Sequence, residues 1–210
     1  MSLASLDTAR EKLLALDPKR LPPALQALML VRPYAHAVVH PAGGGFAVKR
    51  WGGVPQEAAR DTVCKLGIKS WRDSGGLRPI YRGAPLRRCI ELLLAEPTVP
   101  QRTLARAWLD TGTPLSVHLM PYVDFRDISE TRWLVGPDGL RFVSACERGA
   151  SAPRLAAAMD AVQALALEAA DHLPPRSHLL DIACPPDGPP RLVEVNPALT
   201  PAELQALMAA

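Results

Sequence analysis

Residues 178–197 read HLLDIACPPDGPPRLVEVNP, and this stretch decides the fold. Two short apolar runs, 179–184 and 191–196, flank Pro185-Pro186-Asp187-Gly188-Pro189-Pro190. Proline offers a strand no amide donor, so no ladder runs through this block, and Asp-Gly is a strong turn signal. The pattern predicts an antiparallel hairpin with its turn centred on Asp187-Gly188. Asp181 then lies across from Glu194 and Asn196, which are two apart and share a face. Opposed side chains sit roughly 5 Å apart. Three oxygen-bearing side chains thus converge on one side of an apolar hairpin. Two carboxylates that close repel one another, and a cation offsets the repulsion. Hard oxygen donors with one neutral amide suit Mg²⁺, which keeps its other positions for water and phosphate. The same residues also suit solvated strand ends, with Asn196-Pro197 as a stop signal.

The 210 residues make one domain or two small lobes, long enough to bury a core. Hydrophobic residues are 48% and charged residues 21% of the chain, a globular rather than a disordered balance. No run reaches the roughly eighteen apolar residues of a membrane span. The first twenty residues carry acids early and lack a basic-then-apolar leader, so the expected location is cytoplasmic. Cys64, Cys89, Cys146 and Cys184 show no CxxC spacing and read as reduced, mostly buried small hydrophobes. The five histidines show no ligand pairing.

Net charge is only +3, but it is uneven. Residues 49–106 hold twelve Lys and Arg against five Asp and Glu, leaving twelve against sixteen elsewhere. A basic middle and an acidic end suit a polyphosphate held between a cationic part and a metal-binding part. A solvated basic face would look the same. Nucleic acid is an unlikely partner, since no RNP-like or helix-turn-helix signature accompanies the charge.

Residues 3–16 predict an amphipathic helix ending near Asp17-Pro18, and Pro22-Pro23 can open a second, short one. Residues 34–40 and 46–49, joined through Gly43-Gly44-Gly45, predict a hairpin. Lys49 closes its second apolar strand, as an exposed end or as a mobile point charge on a phosphate. A short strand is expected over 79–82 and a helix over 85–95, with Leu86, Ile90, Leu93 and Leu94 on one face. Another short helix is expected over 103–110. Residues 115–123 read as a strand that becomes extended at Pro121. Residues 130–135 and 140–146 predict a hairpin turning at 136–139. A long Ala-rich helix over 153–172 has Leu155, Met159, Val162, Leu165 and Leu167 as core positions. A last helix is expected over 201–208.

The spacing Asp181, Glu194, Asn196, Pro197 resembles the metal-binding hairpin of the ATP-grasp superfamily. There an acid on one strand and a Glu-x-Asn on the next hold Mg²⁺ against the phosphates of ATP. Gly44-Gly45-Phe46-Ala47-Val48-Lys49, with Ala58-Ala59-Arg60-Asp61, is similar to the start of the ATP-grasp domain in the cell-division-cycle-type initiation-factor assembly chaperones. The resemblance implies an α+β, ATP-grasp-like fold of two lobes with the nucleotide between them. Its parts would be an extension over 1–42, a small basic lobe over 43–118 and a metal-binding lobe over 119–210. Lys49 would bind nucleotide, and Arg82 stands where many relatives carry a second phosphate-contacting lysine. Met120, Pro121, Tyr122 and Val123 would read adenine through backbone groups, although a proline-capped edge strand has the same sequence. Asp124 would accept ribose hydroxyls.

Glu130-Thr131-Arg132 is similar to the Glu-x-Arg strand of both families. Arg132 and Arg148, with Lys49, also resemble the ATP-grasp peptide-ligase clade named for two arginines and a lysine. A planar guanidinium suits a phosphate or a substrate carboxylate, and equally a salt bridge to Glu130 or Glu147. The resemblance implies ATP and Mg²⁺ as cofactors and carboxylate–amine ligation through an acylphosphate. The partner would be a small acid or peptide, or else a protein in the chaperone-like alternative, where no bond is made. Leu179 stands where many ATP-grasp ligases have a basic residue.

Overall fold

A computed structural model of the protein describes residues 21–42, 45–66, 69–70, 79–95 and 115–196. The helices expected over 3–16, 103–110 and 201–208 lie outside the described residues. In chain order the described elements begin with α1 (Pro23–Leu28), β1 (Ala35–Ala42), β2 (Gly45–Arg50), β3 (Thr62–Leu66) and β4 (Lys69–Ser70). They continue with α2 (Leu86–Ala95), β5 (Leu115–Pro121), β6 (Ser129–Gly136) and β7 (Gly139–Cys146). A 3₁₀ turn (Gly149–Ser151), α3 (Ala152–Ala170), β8 (His178–Cys184) and β9 (Arg191–Val195) complete them. The chain divides into two compact units between Tyr122 and Val123, and residues 21–30 belong with the second.

The first unit holds an antiparallel sheet ordered β2-β1-β5-β3-β4. Strand β1, read above as the end of an N-terminal extension, is hydrogen-bonded into this sheet between β2 and β5. Alternation sends Ala37, Val39, Cys64, Val117 and Leu119 to one face, where all are buried. Helix α2 closes that face with Leu86, Ile90 and Leu94, a stripe at four-residue spacing. Burial pushes the Cys64 thiol up to about 12.

The second unit holds the sheet β7-β6-β8-β9, also antiparallel. The hairpin of β8 and β9 forms as the 178–197 pattern predicts, and Gly188 takes φ 104° in its turn. That left-handed conformation is nearly free for glycine and strained for other residues. Trp133, Val135, Leu180, Ile182, Leu192 and Val195 face a core closed by α3 and by Leu25 of α1. After α1, Met29 bridges Leu192 in parallel and the Leu30 amide bonds the Leu192 carbonyl at 2.7 Å, engaging β9 backbone groups.

Helix α3 buries Leu155, Val162, Ala166 and Ala169, whereas Leu167, expected in the core, is 49% exposed. In an alanine-rich helix the largest residues do not fix the phase. The stripe 155, 162, 166, 169 keeps helical spacing and uses alanines to let the helix approach the sheet closely. No described helix is long and apolar enough to cross a membrane.

Leu180 is fully buried in the central strand of this unit. Leu180→Ala should cost about 2–5 kcal/mol, read as a lowered urea midpoint with an unchanged slope.

Candidate functional site

The face of the second sheet turned away from α3 is where the polar residues gather. On β8 alternation puts Leu180 and Ile182 into the core and therefore Asp181 on the other face. Asp181 pairs with Glu194 across β9 and with Arg132 across β6. A register shift between Asp181 and Ile182 marks a local irregularity in the β8–β9 ladder. Such breaks increase twist and re-aim side chains.

Arg132 grips Asp181 with two prongs: Nε donates to Oδ1 at 2.6 Å and Nη2 to Oδ2 at 2.8 Å. The arginine side chain is 46% exposed and the aspartate 14%. The hydrogen bond to Asp181 is the main cause that holds the Arg132 guanidinium above its ordinary value. Asn196 Nδ2 donates to Asp181 Oδ2 at 3.1 Å. Asn196 is held at its backbone as well. Its amide bonds the Leu179 carbonyl at 2.8 Å, and its carbonyl lies 3.3 Å from His178 Nδ1. A carbonyl only accepts, so Nδ1 carries the proton there. His178 Nε2 is buried with no hydrogen-bond partner among the described residues. That burial pushes the imidazole below its usual value.

Arg148 pairs with Glu130, Nη2 to Oε2 at 3.2 Å, and its Nε donates to Cys146 Sγ at 3.2 Å. Glu130 and Arg132 are two apart on β6, so both pairs share one face. What places Arg148 is a buried hydroxyl cluster that has no signature in the residue pattern. The Ser129 amide donates to Ser151 Oγ at 2.6 Å, and the Arg148 amide donates to Ser129 Oγ at 2.9 Å. The two hydroxyl oxygens are 2.7 Å apart, and Ser151 Oγ lies 3.0 Å from the Arg148 carbonyl. Next to it, Gly149 (φ 43°) passes so close to Asp127 that an added Cβ would stand 2.8 Å from the Arg126 carbonyl. Only glycine fits.

The remaining expected residues stand on other elements. Lys49 is exposed on β2. It is the extra residue of a bulge, because Val38 pairs with Arg50 and Val39 with Val48. Arg82 sits in an exposed turn, not on a strand. The strand expected over 79–82 is a single bridge from Ile80 to Thr62, and the Arg82 amide bonds Asp61 Oδ1 at 2.9 Å. Met120 is buried at the end of β5, next to Pro121, and the Tyr122 amide bonds the Asp61 carbonyl at 2.9 Å. Val123 follows half-buried, and Asp124 holds Arg126 through its Nε at 2.8 Å. Met120, Pro121 and Tyr122 belong to the first unit, Val123 and Asp124 to the second.

Asp181, Glu194 and the Asn196 carboxamide form a hard-oxygen set of the kind Mg²⁺ takes. No group of three or more His, Cys, Asp or Glu side chains clusters as a metal site among the described residues. Two carboxylates and an amide would leave most positions of such an ion to water.

No family model matches the chain, and no curated protein sequence is similar to it. Solved structures are similar. Cdc123 from Schizosaccharomyces pombe aligns at a TM-score of 0.55 and 14% identity, over 90% of this chain and 85% of that one. The fold is ATP-grasp-like. A C-terminally truncated Cdc123 from the same yeast gives 0.55 at 13% identity with the same coverage. An L-amino acid ligase from Bacillus licheniformis gives 0.47 at 16% identity, over 94% of this chain and 46% of that one. At such identities the likeness to Cdc123 concerns the fold alone.

Two stability outcomes follow. Ser151→Ala strands the buried Ser129 amide and should cost about 1–3 kcal/mol in urea unfolding. Neutral His178 is favoured in the folded chain, so the unfolded chain binds its proton more readily. Stability should be full above the ordinary histidine value of about 6.5 and fall as pH drops below it. His178→Gln should flatten that fall between pH 7 and 5.

Proposed function

We propose that the protein binds MgATP and uses it to join a carboxylate to an amine. The observation that carries this reading is the convergence of Asp181, Glu194, Asn196 and Arg132 on one sheet face within an ATP-grasp-like fold. Asp181, Glu194 and Asn196 would hold the metal. A bound Mg²⁺ would supply charge neutralisation at the transferred phosphoryl group. Lys49, re-aimed by the β2 bulge, would contact phosphate. The arginines would orient anionic groups, Arg132 through its fork and Arg148 from the connector fixed by Ser129 and Ser151. Met120 to Val123 would receive the adenine, and Asp124 the ribose. Arg82, placed in a turn, would reach phosphate only as an exposed point charge. The acyl group would be activated as an acylphosphate and the amine would displace phosphate. Positioning and electrostatics suffice for this, so no side-chain nucleophile is required.

A second reading has a specific observation in its favour. Leu179 is apolar where many ATP-grasp ligases have a basic residue, and both arginines are engaged by acids of their own sheet. In that reading the domain binds MgATP and a protein partner, as an assembly chaperone would, and makes no bond.

ADP release measured against pools of amino acids and peptides separates the two. Release that requires an acid and an amine together supports ligation, whereas tight MgATP binding without turnover supports the partner reading. Asp181→Ala or Glu194→Ala should weaken Mg²⁺-dependent ATP binding by at least about tenfold in calorimetry. Lys49→Ala should weaken it as well. Unchanged affinity in all three removes both readings.

A further inference from the structure

We infer that Arg132 competes with the divalent cation for Asp181, so that metal binding and the freeing of Arg132 are one exchange. The inference rests on the metal reading above and adds how that site is controlled.

Asp181 is the acid that any ion at this site must engage. Both its oxygens are already committed, Oδ1 to Arg132 Nε and Oδ2 to Arg132 Nη2 and Asn196 Nδ2. The fork and Asn196 fill three of the carboxylate's roughly four acceptor sites, so a cation that takes both oxygens must displace the guanidinium. The fork is bidentate and charge-assisted, the strong form of such a contact, and the aspartate side is mostly sheltered from water. Removing the guanidinium would leave Asp181 directly opposite Glu194 with no positive charge between them on their own strands. A divalent ion would then meet an Asp181 carboxylate released from its charge-assisted fork and bind more tightly.

The exchange also has a destination. Arg132 stands on the strand that carries Glu130, and that acid already holds Arg148. A displaced Arg132 therefore stays on a face whose nearest acids are taken, by the ion or by the second arginine. Its fork is then open to an anion from outside, a phosphate or a carboxylate. Arg132 is in this way a built-in counter-ion that becomes a ligand-binding group only when metal arrives. Cation and anionic ligand should bind with positive coupling through it.

The test uses the full-length protein and Mn²⁺ alone, titrated by electron paramagnetic resonance without nucleotide. Arg132→Met should bind Mn²⁺ about tenfold more tightly than the unmodified chain. Arg132→Lys, which keeps the charge but not the fork, should fall between them. Asp181→Asn should abolish the gain in the Arg132→Met background. The lysine variant keeps the test informative if the methionine variant folds poorly. Equal or weaker Mn²⁺ binding by Arg132→Met and Arg132→Lys, with the unmodified chain binding normally, overturns the exchange and leaves the metal site standing. No Mn²⁺ binding by any of the proteins overturns the metal reading and the exchange with it.

Discussion

Strand β8 is caught between two demands, and one alternation meets both. It pairs with β6 on one side and β9 on the other, so its backbone groups are spent on the ladder. Its odd and even side chains then have no choice of direction. Leu180 and Ile182 fill the core under α3, and Asp181 must stand on the far face beside Arg132 and Glu194. A slip of one residue would bury an aspartate and expose two aliphatic side chains. The energy that fixes the core therefore also fixes the position of the acid. The placement of Asp181 on this face comes with the packing.

The sequence was most legible where periodicity and turn chemistry agreed. Pro-Pro-Asp-Gly-Pro-Pro forbids a ladder and demands a turn, and the Asp181–Glu194 register follows by counting outward. The same agreement made the β1–β2 and β6–β7 hairpins and the stripe of α2 readable. Ala-rich α3 was harder. Its pattern announces a helix, but alanine fits either side, so Leu167 drew attention that belonged to Ala166 and Ala169. At Arg82 a β-rich tripeptide lost to the turn beside it.

Long-range polar pairing was not legible. Arg132 and Asp181 are far apart in the chain, and only the order of the sheet brings β6 alongside β8. Beside an anionic ligand, the pattern offered each arginine a salt bridge to Glu130 or Glu147 of its own hairpin. That holds for Arg148 with Glu130, while Arg132 crosses to the neighbouring strand. The serine cluster of Ser129 and Ser151 had no signature at all, since a buried hydroxyl is recognised only by what surrounds it. The bulge that singles out Lys49 is likewise a property of the pairing and not of the residues.

The second unit is assembled from two separated pieces of the chain. Leu25 of α1 is fully buried in its core, and the backbone that follows α1 lies along β9. A fragment beginning at Val123 would keep all four strands and the long helix, yet lose the piece that seals one flank. It would present aliphatic surface and the open Leu192 carbonyl to water. During synthesis that early segment likewise meets β9 only after the intervening strands have been made. A cut at Val123 therefore separates the second unit from a piece of its own core.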